Sequence, residues 1–402
     1  MKALKILVAA LLALPVLAGP TSSPAAGPRQ ITTSNPFLNL PAPTDDPRWG
    51  QAFAAWDRRD DTDQALRAVA LFEALARDQP GRLEPQLWLA RSYYLMGIRG
   101  RGDSQLAYLK MATTAADRAL KIDPSSDAAR CWRYCSMLFY YDFTEKDYAE
   151  MRAMGKKYEN LRELPVPADD PIWAKAIGHW DLRLSRKETF IAIALFEELN
   201  RKYPGRLEPR LWLCRTYYWL HYIEPTDEAK AAALMTAVEW GKKAQQQEPR
   251  NPAANYFIAA GLGQYGLVTN FTNIVRYAPE ITRRLMLVME EDPQYLHGGV
   301  SQYFGLAMAK AGSVVSRMLG MVGYSEEMLV RSVSFAIHFE PRYLRNYYSM
   351  GEFYLSRGKR DEAKKMWETA LAADPAALKN MEPENRVTQE LIRRLMKKEF
   401  GK

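Results

Sequence analysis

The sequence predicts an all-α solenoid of antiparallel helix pairs, and three observations carry that expectation. Blocks of residues recur at a fixed offset, prolines recur at the spacing of helical hairpins, and no run of period-two alternation bounded by turn residues marks a strand. The offset is the most direct. Pro80-Gly-Arg-Leu-Glu-Pro-Gln-Leu-Trp-Leu-Ala-Arg91 returns as Pro204-Gly-Arg-Leu-Glu-Pro-Arg-Leu-Trp-Leu-Cys-Arg215, 124 residues on. Ala70 to Leu75 returns as Ala194 to Leu199, and Trp49 and Trp56 return as Trp173 and Trp180. Asp123-Pro124 and Tyr140 match Glu248-Pro249 and Tyr265 at an offset of 125, so a front module has been duplicated.

In chain order, Lys2 and Lys5 precede an apolar run from Ile6 to Ala18, with small residues at Val16 and Ala18 before Gly19. That is the layout of a cleaved secretory signal over residues 1–18, too short to span a bilayer. Its removal takes the formal charge from +8 to +6, because the two lysines leave and no acid does. The expected mature chain is periplasmic or secreted, with no transmembrane segment, and no lipoprotein cysteine stands near the cleavage point. Residues 19–46, with Pro24, Pro28, Pro36, Pro41 and Pro43 among Ser, Thr and Ala, read as a disordered linker. A first helical-repeat module then covers 47–165 and a second covers 171–402, as one continuous solenoid.

Each module has a shorter period inside it. Tyr347, Met350, Gly351 and Tyr354 are followed by Ala363, Trp367, Ala370 and Pro375, and the previous closing proline is Pro341, 34 residues earlier. This is the spacing of a tetratricopeptide repeat. Small residues let two helices approach, large ones fill the remaining gap, and the proline ends the second helix because it lacks an amide donor. Further hairpins close at Pro80, Pro124, Pro204 and Pro249, giving six, with extra helices near 127–160 and 252–291.

The order of these hairpins resembles one family. Leu195-Phe-Glu-Glu-Leu199 and Leu211-Trp-Leu-Cys-Arg-Thr-Tyr-Tyr218 come first, then Asp292-Pro-Gln-Tyr-Leu-His-Gly-Gly299 entering a helix, then a last repeat with Tyr347, Tyr348 and Trp367. The chain is similar to the T-component family of tripartite ATP-independent periplasmic (TRAP) transporters, with residues 171–402 covering one family unit and 47–165 an additional copy of its front half. Gly323-Tyr324-Ser325 stands where that family carries Gly-Gly-Asp. The resemblance implies a non-enzymatic, helical and oligomeric accessory protein. Its expected partner is the transporter's periplasmic substrate-binding protein, with a pore or pocket offered to the ligand. The tetratricopeptide pattern alone implies a general envelope scaffold that holds a peptide or helix in its concave groove.

The stripe opposite the partner-helix face of each first helix predicts that groove: Trp88 and Ser92, then Trp212, Thr216 and Trp219, then Arg345, Tyr348 and Glu352. Such aromatics suit an apolar ligand or a partner's helix, and equally serve as ordinary core. Other chemistry finds little support. The four histidines, His179, His221, His297 and His338, are isolated, and His179 occupies a repeat interface that suits a core role. Cys131 and Cys135 are half a zinc site; with Cys214 they are free core thiols, or Cys214 takes part in a disulfide. Gly261-Leu-Gly-Gln-Tyr-Gly266 fits G-x-G-x-x-G but lacks the preceding strand, so close helix packing explains it better. The tail with Arg393, Arg394, Lys397 and Lys398 interleaves acids and reads as a solvated face. No metal, cofactor or nucleic-acid partner is expected, and a mean hydropathy of -0.35 excludes a polytopic membrane protein.

Overall fold

The computed structural model describes residues 39–157, 163–321 and 325–401. The expected signal over residues 1–18, most of the expected linker, and Gly323 and Tyr324 lie outside them. Among the described residues the chain is 79% helical with no strand, and the α-helices pack in successive pairs, as the repeat pattern requires. In the duplicated front they are α1 (Pro47–Asp57), α2 (Thr62–Asp78), α3 (Leu83–Arg99), α4 (Gly102–Ile122) and α5 (Asp127–Met137). The second part runs α6 (Glu145–Lys157), α7 (Pro171–Asp181), α8 (Arg186–Lys202), α9 (Glu208–Leu220), α10 (Asp227–Gln247), α11 (Pro252–Thr269) and α12 (Phe271–Glu291). It ends with α13 (Tyr295–Met321), α14 (Glu326–Phe339), α15 (Arg345–Ser356), α16 (Arg360–Ala372) and α17 (Glu382–Phe400).

Local chemistry sets the helix boundaries. α1 and α7 open alike: the Asp46 carboxylate accepts from the Arg48 amide at 2.9 Å and Asp170 from Ile172 at 2.8 Å, each with a proline at the first turn. Thr226, Asn251 and Ser325 cap α10, α11 and α14 in the same way. The closing prolines at 80, 124, 204, 249, 341 and 375 each stand two or three residues beyond a helix end, where a missing amide costs nothing.

The described residues form two compact units, 39–142 with α1 to α5, and 143–320 with 325–401, which hold α6 to α17 apart from the last residue of α13. α6 belongs to the second because it packs on α14: Phe143 lies 6.1 Å from Phe335, and Tyr148 stacks on His338 at 3.7 Å. The first unit also begins earlier than the linker boundary predicted from composition, since Leu40 is only 3% exposed.

The last repeat shows how the pattern packs. Ala363, Trp367 and Ala370 of α16 are fully buried against α15, and the Trp367 indole donates to the Tyr348 carbonyl at 3.3 Å. A Cβ at Gly351 would overlap the Trp367 ring. Gly351→Ala should therefore lower unfolding stability by about 1–3 kcal/mol, the usual range for overpacking, read from the urea midpoint at unchanged slope.

Candidate functional site

The structure places the eight predicted groove residues in two different settings. Trp88, Ser92, Trp212, Thr216 and Trp219 are all 2% exposed or less and belong to the interior, not to an open groove wall. The two tryptophans stack on phenylalanines of the preceding helix, Phe72–Trp88 at 5.4 Å and Phe196–Trp212 at 5.3 Å, and meet Trp56 and Trp180 edge-on at 5.7 Å in each copy. Thr216 donates to the Trp212 carbonyl at 2.7 Å, and Trp219 donates to the Arg183 carbonyl at 2.7 Å.

What covers the two equivalent tryptophans is a segment of the chain itself. Leu40-Pro-Ala-Pro-Thr-Asp-Asp-Pro47 and Leu164-Pro-Val-Pro-Ala-Asp-Asp-Pro171 are the same extended strap, again 124 residues apart. Trp88 donates its indole N–H to the Pro41 carbonyl at 2.7 Å, and Trp212 to the Pro165 carbonyl at 2.8 Å. Leu40 and Leu164 are buried, and Arg82 and Arg206 hold Asp45 and Asp169. Prolines suit this role: they fix the extended backbone and leave carbonyls without competing amides. The proline-rich composition that reads as a tether is, over residues 39–46, a packed element. The repeated Leu-Pro-x-Pro-x-Asp-Asp was the signal that could have found it.

In the second unit the strap joins a buried charge cluster. Glu163 accepts from Arg215 at 3.1 Å, and both side chains are 2% exposed. Glu384 of α17 accepts from Arg215 and from Arg183, whose Nε lies 3.3 Å away. Burial alone would raise the Glu384 carboxyl, but the two guanidiniums outweigh it and hold the group below its usual value. Both arginines also lie over the Trp180 ring, at 4.2 and 4.9 Å. His221 sits beside this region, fully enclosed, and donates from Nδ1 to the Tyr218 carbonyl. Burial, helped by the cations Arg345, Lys230 and Arg215, lowers its pKa to about 3, so the ring is neutral.

The other three predicted residues lie on α15. Arg345 and Tyr348 are partly exposed, with the guanidinium 4.9 Å from the Tyr348 ring, and Glu352 is paired with Lys310. Arg345 and Trp219 help line a partly open cavity of about 50 Å³ together with Arg215, Tyr218, Tyr222, Tyr256, Gln264, Gln302, Tyr303, Tyr343 and Glu384. The spacing pattern located Arg345 but not the tyrosines, which reach the cavity from segments far apart in sequence.

A second concavity lies in the first unit, an open trough of about 640 Å³ along α2, α3 and α4. Leu89, Tyr93, Met111 and Ile122 line it, with Arg77, Arg118 and Lys121 along its rim. Leu66 and Met111, at 41% and 40% exposure, extend its apolar surface.

The remaining motifs resolve simply. Gly261, Gly263 and Gly266 each admit a neighbour's side chain or backbone at a helix contact. Cys131, Cys135 and Cys214 are buried, and none of them is in a disulfide among the described residues. His179 is not a core residue: its side chain is 34% exposed and its Nδ1 lies 2.6 Å from Glu188. Arg393, Arg394 and Lys398 are exposed and paired with Glu390 and Glu399. No group of three or more His, Cys, Asp or Glu side chains able to hold a metal occurs among the described residues. No described helix is long and apolar enough to cross a membrane.

Paired helices, repeat spacing and closing prolines together define a tetratricopeptide-like helical-repeat protein. No family model and no curated protein matches the chain. Among solved structures it is similar to the human IFIT1 dimer with PPP-AAAA, at 15% identity and a TM-score of 0.32, over 81% of this chain and 73% of that one. It is also similar to yeast Tom70, at 8% identity and a TM-score of 0.18 over 88% and 90%. The APC/C hetero-tetramer Cut9-Hcn1 gives 13% identity and a TM-score of 0.20, over 87% and 84%.

Two expectations follow from the charge cluster and from His221. Glu384→Gln leaves Arg183 and Arg215 buried without their shared carboxylate and should cost about 3–5 kcal/mol, measured by urea unfolding of the full chain. For His221 the folded pKa lies below the unfolded one, so its contribution is complete above pH 6.5 and is lost as the pH falls from there toward 3. His221→Asn keeps a donor for the Tyr218 carbonyl and removes the titration. The melting temperature of this variant should fall less steeply between pH 6.5 and 4 than that of the unaltered chain.

Proposed function

We propose that this chain is a non-enzymatic periplasmic scaffold, an accessory component of a TRAP-type transporter that docks the transporter's substrate-binding protein. The observation that carries the docking role is the trough of the first unit. Its floor is apolar, it is open at the surface, and its rim carries Arg77, Arg118 and Lys121. Glu73 also lines the trough and accepts from the Tyr93 hydroxyl, so three cations stand against one acid. An exposed apolar concavity with that excess of positive charge is suited to a partner segment that is apolar on one face and acidic on the other. The transporter assignment and the periplasmic location rest on the sequence resemblance and on the signal-like residues 1–18. The straps favour a second reading, a scaffold for extended peptides in general, because each module already holds one such peptide of its own through an indole N–H and an arginine.

Affinity purification of the full chain from envelope extracts should recover the substrate-binding protein of a TRAP transporter. Met111→Glu combined with Arg118→Glu should abolish that recovery while leaving the melting temperature within a few degrees, since both residues are at the surface. Recovery of no transporter component would sink the transporter reading. Retention by the double variant would sink the trough as its docking surface.

A further inference from the structure

Arg345 is the first residue of α15, and its guanidinium faces the cavity of the second unit. Its hydrogen bond goes to the Tyr222 hydroxyl at 3.3 Å, and the rings of Tyr222 and Tyr348 lie 5.7 and 4.9 Å from it. Among the described residues it has no carboxylate partner. Glu384, which lines the same cavity, is held by Arg183 and Arg215, and Glu352 on the same helix is held by Lys310.

Around it, Tyr256, Tyr303 and Tyr343 line the cavity, and none of their hydroxyls hydrogen-bonds another described residue. The arrangement is built rather than incidental. Tyr303 reaches the cavity wall only because residue 263 is glycine, where a Cβ would overlap the Tyr303 hydroxyl. A guanidinium drawn partly out of water without a counter-charge is costly, and hydroxyls facing the same space without a protein partner are free to donate to what enters it. The unmet capacity is mostly donor capacity: the N–H fork of one arginine and three phenolic O–H groups. What satisfies it is an acceptor with at least two oxygens and a negative charge, which the planar fork grips in bidentate fashion. At about 50 Å³ the space exceeds the ~15 Å³ a single water needs. It falls well below the roughly 300 Å³ of a drug-sized site, which matches a carboxylate or phosphate group.

We propose that this cavity is a binding site for a small oxyanion, a carboxylate or a phosphate, with Arg345 gripping two of its oxygens and Tyr256, Tyr303 and Tyr343 donating to it. The site lies wholly in the second unit, so it stands or falls independently of the docking trough in the first.

The test is titration of the full chain with sodium acetate and, separately, sodium phosphate, with sodium chloride holding the ionic strength constant. Binding is followed by tryptophan fluorescence, because Trp219 lines the cavity, and by thermal shift. A saturable response to either oxyanion that chloride does not give is expected, and the tighter of the two identifies the ligand chemistry. Arg345→Gln should weaken it roughly ten- to a hundredfold, as loss of hydrogen bonds to a charged group does, with a melting temperature in chloride that is unchanged or higher. Tyr303→Phe, which keeps the ring and removes only the hydroxyl, should weaken binding several-fold and serves if Arg345→Gln does not fold. No saturable response to either anion, or equal responses from the unaltered chain and a folded variant, would overturn the proposal.

Discussion

Glu384, buried between Arg183 and Arg215, is the interaction on which the second unit depends. It joins the end of α7, the middle of α9 and the start of α17, segments up to 201 residues apart in the chain. Glu163 brings the strap into the same cluster through Arg215. Taking four charges out of water is expensive, and the cluster is stable only when complete. The C-terminal helix is therefore part of the core and not an appendage. Its basic end faces water, while its first turn carries the carboxylate that two interior arginines require.

The duplication makes the same point by comparison. In the first unit Arg59 and Arg91 lie over Trp56 at 4.5 and 5.4 Å, as Arg183 and Arg215 lie over Trp180 at 4.2 and 4.9 Å. The cation–aromatic sandwich was copied with the helices. The acids of the second unit come from its edges: Glu163 stands where the first strap has Asn39, and Glu384 lies outside the duplicated stretch altogether. Each unit thus meets the demands of one inherited helix arrangement with a different set of local partners.

Much of this was legible in the residues. Helix pairs follow from local spacing, since alanines, glycines and closing prolines act within one hairpin, and all six predicted hairpins are present. Sequence spacing left groove and core open for this stripe, because a helix face opposite its partner is concave only if nothing fills it. At Trp88 and Trp212 the strap fills it, and that strap was hidden by its composition, because prolines that stiffen a bound segment look like those of a free tether. The fixed offset held the answer: Leu40-Pro41 and Leu164-Pro165 are related as the helices are, and a free tether has no packing reason to be kept in step with them. The tyrosine-lined cavity was beyond sequence reading, since Tyr222, Tyr256, Tyr303 and Tyr343 belong to four segments that meet only in the fold.

Arg345 illustrates what the rest of the structure avoids. The buried arginines Arg183 and Arg215 of the second unit have carboxylates, an aromatic face and backbone or strap contacts, and the buried Arg284 has Glu280. Arg345 has the aromatic faces and one phenol, and its charge is answered by no acid. A core selected for stability alone would place a neutral residue there or supply a glutamate, and α15 does carry Glu352 seven residues on, where it pairs with Lys310 instead. Departures from internal consistency of this kind concentrate where a ligand completes the chemistry. An anion of the right size converts the Arg345 charge into a bidentate pair, and stabilises the folded state by mass action as it binds. That coupling between occupancy and stability is what a cavity filled by water alone would not have.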